Sequence, residues 1–150
     1  MNGKRDGIGS EYYGNGQKKF EGKYLNGKRN GNGKEYHDNS QKKFIGEYLN
    51  GKRNRKGNEY HENCILKFEG EYLNGERCNG IGYNCFPSKI LEIEKNGKVK
   101  EYYDYGTLKF EGEYLKGKRW NGKLYDNKGH LSFKIKNGSG KGKNIIIMDN

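Results

Sequence analysis

Apolar and polar positions alternate along this chain in one short phrase that is written four times. Phe20-Glu21-Gly22-Lys23-Tyr24-Leu25-Asn26-Gly27-Lys28-Arg29 returns as residues 44–53, 68–77 and 110–119, with the phenylalanines 24, 24 and then 42 residues apart. With a side-chain period of two, Phe20, Gly22 and Tyr24 fall on one face of a strand and Glu21 and Lys23 on the other. The glycine leaves room for a neighbouring ring to lie over the backbone. Asn-Gly then supplies the positive φ angles of a tight hairpin turn. Lys28-Arg29 is expected to complete the loop, with a second strand from Gly31 to about His37.

A phrase repeated at a fixed period marks an array in which each unit buries its apolar face against its neighbours. The fold class expected is all-β, an elongated antiparallel single-layer sheet of repeated hairpins in one array over 1–150. Units of 24 residues run to about residue 65, and two double units follow, 66–107 and 108–149. In each double unit an extra turn residue is expected after the arginine, Cys78 and Trp120. A degenerate hairpin then follows, around Ile93–Gly97 and Ile135–Gly138. Counting from Ile8 gives about thirteen short strands, hence a sheet roughly 60 Å long at ~4.8 Å per strand. The aromatic ladder expected to hold it is Phe20, Tyr24, Phe44, Tyr48, Phe68, Tyr72, Phe110 and Tyr114.

Composition supports this reading. With 25 Gly, one Pro and 30% hydrophobic residues, a helical bundle is excluded, since glycine costs about 1 kcal/mol per helix-interior position. Low hydrophobicity with high charge is also the signature of disorder, but here the aromatic residues keep a fixed register, as linkers do not. The net charge of +11 is unevenly spread. Basic residues outnumber acidic ones over 1–60 and over 108–150, while 61–107 is slightly acidic. If units stack in register, Lys28, Arg29, Lys52, Arg53, Arg55, Lys56, Arg77, Lys118 and Arg119 form a basic stripe at the turn tips. Such a row could bind phosphates of lipid headgroups, or it could balance Glu47, Glu71 and Glu113 and keep a flat sheet soluble.

Candidate chemistry is sparse. His37 and His61 occupy the same place in successive units, roughly 10 Å apart, too far to share one zinc. Cys64, Cys78 and Cys85 lack zinc-site spacing, and an odd set suits a reducing compartment. Cys64 is read as standing where Gln17 and Gln41 stand. Gly138-Ser139-Gly140-Lys141-Gly142-Lys143 lacks the first glycine and the Ser or Thr of a phosphate loop, so it reads as another hairpin turn. Glu69/Glu71 and Glu111/Glu113 read as cross-strand charge partners. No catalytic residue, metal ligand, cofactor or small-molecule substrate is expected, and nucleic acid is not an expected partner. No signal peptide or membrane span is visible, so an intracellular, cytoplasmic location is expected. The apolar run Ile145, Ile146, Ile147 and Met148 is the candidate partner edge, because an unpaired strand invites association with another chain.

Residues 68–77 followed by Asn79-Gly80-Ile81-Gly82 resemble the MORN (membrane occupation and recognition nexus) repeat: an aromatic-x-Gly-Glu-aromatic strand, a glycine turn and a Gly-x-Gly strand. The likeness covers nearly the whole chain, with departures at 84–98 and 127–138 and Lys23 in place of the usual glutamate. The wording is also similar to bacterial MORN-variant repeats of the YwqK-antitoxin type. The resemblance implies a single-layer sheet that acts in protein association, sometimes at membranes and cytoskeleton, with no activity of its own. The function expected is therefore a non-enzymatic scaffold with protein partners, self-association through edge strands included. The alternatives are a peripheral binder of anionic lipid, or an antitoxin-type protein. The latter would meet a basic toxin through Glu92, Glu94, Glu101 and Asp104.

Overall fold

A computed structural model describes residues 5–141. Thirteen strands form one antiparallel sheet in strict chain order. They are β1 (Gly7–Tyr12), β2 (Lys18–Leu25), β3 (Lys28–Tyr36), β4 (Lys42–Leu49), β5 (Lys52–Tyr60), β6 (Leu66–Leu73), β7 (Glu76–Tyr83), β8 (Lys89–Ile93), β9 (Lys98–Tyr102), β10 (Leu108–Leu115), β11 (Lys118–Tyr125), β12 (Leu131–Lys136) and β13 (Ser139–Lys141). No helix among the described residues is long and apolar enough to cross a membrane.

Every strand pairs with the next in sequence, and the register draws straight lines across the sheet. Gly9, Gly22, Gly33, Gly46, Gly57, Gly70 and Gly80 stand opposite one another in turn. The line continues through Ile93 and Val99 to Gly112, Gly122, Ile135 and Gly140. One face of this line is occupied by phenylalanine rings lying flat on the backbone. A Cβ at Gly57 would sit 2.3 Å from Phe44 Cζ, and one at Gly33 2.5 Å from Phe20 Cζ. A single layer thus buries its aromatic rings on its own bare backbone. Phe20, Phe44, Phe68 and Phe110 are fully buried.

Tyrosines close the flanks of those rings. Tyr48 meets Phe20 and Phe44 edge-on, at centroid distances of 5.2 and 5.6 Å, and Tyr72 meets Phe44 and Phe68 likewise. Edge-to-face pairs are worth about 0.5–1.5 kcal/mol each beyond the area they bury. The ladder stops being regular at its last member. Tyr114 is 38% exposed, and its ring is only tilted against Phe110, 48° at 5.9 Å. The cause lies in the preceding hairpin, β8–β9. There Leu91 stands in the phenylalanine line and Ile93 and Val99 in the glycine line, so no ring waits for Tyr114 on that side.

The hairpin turns are tighter than the sequence suggests. Asn26-Gly27, Asn50-Gly51, Asn74-Gly75, Lys116-Gly117 and Asn137-Gly138 are two-residue turns with both φ angles positive, the mirror-image turns that suit strand twist. The second strand therefore begins at Lys28, not Gly31, and Arg29 is a strand residue rather than part of the loop. Likewise, of the described residues in the stretch expected to be another hairpin turn, only Gly138 belongs to a turn, since Ser139–Lys141 is already β13.

A bulge in each second strand re-aims the residues after the arginine. Tyr24 faces Arg29 while Gly22 faces Gly33, and Gly31 takes a φ of +83° in between. Arg55 occupies the same place in β5 with a φ of +58°. In β7 and β11 the bulge is shorter, because Gly70 faces Gly80 and Tyr72 faces Arg77, and Gly112 faces Gly122 and Tyr114 faces Arg119. Cys78 and Trp120 are thus bulge residues of strands that have lost a position, not additions to a turn.

Candidate functional site

The repeated polar side chains meet on the aromatic face. Glu11, Glu35, Glu59 and Glu101 stand directly opposite the phenylalanines. On each carboxylate converge a tyrosine hydroxyl and at least one arginine. Tyr24 and Arg29 donate to Glu11, Tyr48 and Arg53 to Glu35, Tyr72 and Arg77 to Glu59, and Tyr114 and Arg119 to Glu101. Each guanidinium also lies over a ring face, 4.0 Å above Phe20 for Arg29, 4.1 Å above Phe44 for Arg53, 4.6 Å for Arg77 on Phe68 and 5.2 Å for Arg119 on Phe110. Arginine is thereby the lid over the core, held down by cation–π attraction.

The charges alternate without a break from β1 to β7. Arg29 bridges Glu11 (2.7 Å) and Glu35 (3.3 Å), and Arg53 bridges Glu35 (3.0 Å) and Glu59 (3.6 Å). Arg77 has only Glu59 (2.6 Å), because Gly82 occupies the place where the next glutamate would stand. Arg119 likewise has Glu101 alone, with Leu124 at the next place. Burial pushes Glu35, Glu59 and Glu101 up, but their arginine hydrogen bonds and the nearby positive charge, with a tyrosine bond added at Glu35 and Glu101, hold all three below the usual carboxylate range. Glu11 is held down to about 2, chiefly by its bond from Arg29. In return, burial and the facing glutamates push Tyr72 and Tyr114 up to about 12.

This arrangement divides the expected basic stripe. Arg29, Arg53, Arg77 and Arg119 are neutralised on the aromatic face, and their partners are the strand glutamates rather than Glu47, Glu71 and Glu113. Lys28, Lys52, Arg55, Lys56 and Lys118 remain exposed, and Arg55 leans toward Glu47 at 3.8 Å. Beside these cations the hairpin tips expose a row of leucines, Leu25, Leu49, Leu73 and Leu115. Sequence reading missed that row, although the leucine before Asn26-Gly27, Asn50-Gly51, Asn74-Gly75 and Lys116-Gly117 was its signal.

The opposite face is polar. Tyr36 donates to Glu21, Tyr83 to Glu69, Tyr102 to Glu92 and Tyr125 to Glu111. Lys18 adds a bond to Glu21, which holds that carboxyl down to about 2. The four acids expected to meet a basic toxin are spread over both faces and a return turn. Glu92 bonds Tyr102 and Lys89 on the polar face, Glu94 pairs with Lys100, Glu101 is spent on Arg119 across the aromatic face, and Asp104 accepts from Asn84 in a return turn.

The histidines and cysteines sit in the return turns or at a bulge. The Nε2 atoms of His37 and His61 lie 3.3 and 3.2 Å from the carbonyls of Tyr60 and Tyr83 in the next unit, the place where Tyr13 bonds Tyr36 and Tyr103 bonds Tyr125. They serve as rungs between turns. Cys64, with a φ of +66°, corresponds to Gly16 and Ser40 rather than to the glutamines, because this turn position needs a left-handed residue. All three cysteines are free and exposed. Among the described residues no three His, Cys, Asp or Glu side chains gather as metal ligands. Ile145, Ile146, Ile147 and Met148 lie outside the described residues. In comparisons with known proteins, the chain matches no family model and no curated protein.

Proposed function

We propose that this chain is a protein-association module, a MORN-like β-repeat rod whose surfaces and strand edges receive other proteins. One observation carries the reading: the glutamates and arginines that converge on the aromatic face are consumed within the sheet. Glu11, Glu35, Glu59 and Glu101 are each bonded by a tyrosine and an arginine of their own array, and Arg29, Arg53, Arg77 and Arg119 each cap a phenylalanine. What remains for the outside is extended, repetitive and shaped by strands, which suits recognition by contact over a length rather than turnover in a pocket. Immobilised full-length chain, challenged with extract of its native host, should retain a discrete protein at 0.5 M salt. That protein, once purified, should re-form a complex of fixed stoichiometry. Failure to recover any such protein, or recovery only of species that salt releases, sinks the proposal.

A second reading has an observation of its own. The exposed leucines at the hairpin tips stand beside Lys28, Lys52 and Lys118, so one long edge of the rod combines apolar points with positive charge, as surfaces that dip into anionic lipid do. Flotation with vesicles containing phosphatidylserine tests it. Binding that disappears in Leu25→Ser/Leu49→Ser supports a lipid-facing edge, and binding that ignores those changes removes it.

A further inference from the structure

The short hairpin β8–β9 leaves a gap in the aromatic face. Its turn, residues 94–97, falls where a full hairpin would place a tyrosine and an arginine, and it supplies neither: Lys95 and Asn96 stand there. The result is an open notch of about 770 Å³ between the tips of the neighbouring long hairpins, within the ~300–1,000 Å³ range of ligand sites. Its floor is aliphatic, Ile93 and the buried Val99. One wall carries Arg77, which has one carboxylate partner where Arg53 has two. The other carries Tyr114, whose ring lacks its inner neighbour, and Lys116. Lys95 lines the rim, only loosely paired at 3.9 Å to Glu71. Three cations, one of them Arg77 with its Glu59 partner, thus line a space whose single lining acid among the described residues is Glu76.

The second double unit shows what a filled notch looks like. Trp120 holds the same bulge position as Cys78 and lies against the turn of the next short hairpin, where a Cβ at Gly138 would be 3.1 Å from its Cζ3. Its carbonyl also accepts the Gly138 amide at 2.8 Å. In the first double unit a cysteine takes the place of that indole, and the space stays open. A regular repeat would deliver a tyrosine ring to this spot.

We propose that the notch between Arg77 and Tyr114 is a docking site for an acidic peptide segment of a partner protein that carries an aromatic side chain. The ring enters over Ile93 and Val99 beside Tyr114, and the carboxylates meet Arg77, Lys95 and Lys116. The inserted segment completes the interrupted repeat. This rests on the protein-association reading and names the chemistry of its partner. Charge complementarity selects the acids, and the missing ring selects the aromatic residue.

The test uses the full chain labelled with ¹⁵N and two acetylated heptapeptides, one alternating glutamate with tyrosine and one with glutamine in place of every glutamate. The expected result is amide shifts confined to residues 76–78, 93–99 and 114–117 with the acidic peptide, and affinity at least tenfold weaker for the glutamine version. Cys78→Trp, which copies the filled notch, and Lys95→Glu/Lys116→Glu, which changes only turn residues, should each weaken binding at least tenfold. Each variant's own spectrum reports whether it is folded. No binding, binding equal in Cys78→Trp, or shifts scattered over lysines of both faces overturns the proposal. Shifts localised elsewhere on the rod overturn the notch yet leave the association reading standing, and that reading falls only with its own partner-capture experiment.

Discussion

The run from β1 to β7 and the run from β8 to β13 are built from the same phrase, yet they spend it differently. In the first, each phenylalanine from Phe20 to Phe68 has an arginine lid and glutamates bridged in an unbroken chain from Glu11 to Arg77. In the second, every other hairpin is short, Leu91 replaces a ring, and the arginine–glutamate pairing on the aromatic face shrinks to Glu101 with Arg119. Arrays of this kind draw stability from nearest-neighbour interfaces. The lesson is that one degenerate hairpin weakens two interfaces at once, its own and that of the next full unit, whose Tyr114 is left half bare.

The largest break in this comparison comes from removing a ring. Phe44→Ala should cost about 3–5 kcal/mol, while Phe110→Ala should cost less, since its tyrosine is only tilted against it. Urea titration of both variants checks the order. Next comes the bare backbone beneath the rings. Gly57→Ala would drive a Cβ to 2.3 Å from Phe44 Cζ, an overpacking expected to cost about 1–3 kcal/mol and readable in the same titration.

Charge gives a smaller contrast. Arg53→Gln removes the hydrogen bond to Glu35 and the 3.6 Å ion pair to Glu59 but leaves each carboxylate a second arginine, whereas Arg119→Gln takes both arginine bonds of Glu101. Each should lose about 1.5–3 kcal/mol, the scale of hydrogen bonds to charged groups, read in the same titration. Acid should act on the same carboxylates. Their folded pKa values are depressed, so their contribution is fully present above the unfolded value of about 4.3 and is lost as pH falls through the folded values, about 2 for Glu11. Melting temperature should therefore fall steadily below about pH 4. Trp120, the one tryptophan, reports the second run separately from the tyrosines of the first. A flat melting temperature from pH 5 to 2 would contradict the bridging role.

The smallest effect sharpens rather than breaks. Arg55 holds a left-handed conformation where β3 has Gly31, so Arg55→Gly should be neutral or gain up to about 1 kcal/mol, measured by the shift in urea midpoint.

Strand order, hairpin turns and the ring-over-glycine packing were legible in the sequence, because period-two alternation and Asn-Gly turns are local signals. The place of the arginines was not. A turn two residues shorter than expected turned Arg29 from a loop tip into a strand residue, and that flips its side chain from solvent to the Phe20 ring. Cys78 and Trp120 were misread for the same reason: sequence spacing counts residues, and only pairing shows that Gly80 answers Gly33 and not Gly31. The acids Glu92, Glu94, Glu101 and Asp104 looked like a patch because they are close in the chain, while pleating sends neighbours to opposite faces. The notch has a sequence trace, the absent aromatic and arginine between residues 94 and 97, but an omission is hard to read without the ladder around it.

The straight line of glycines makes the length of this protein a counted quantity. A cut at one return turn and a join at the next, 24 residues on, would bring Gly33 opposite Gly70 in place of Gly46 and set Tyr72 against Phe20 where Tyr48 now stands. Units can therefore be duplicated or lost whole with their interfaces regenerated, whereas a shift of a single residue would set a side chain under every ring it crosses. Growth of such a rod is quantised.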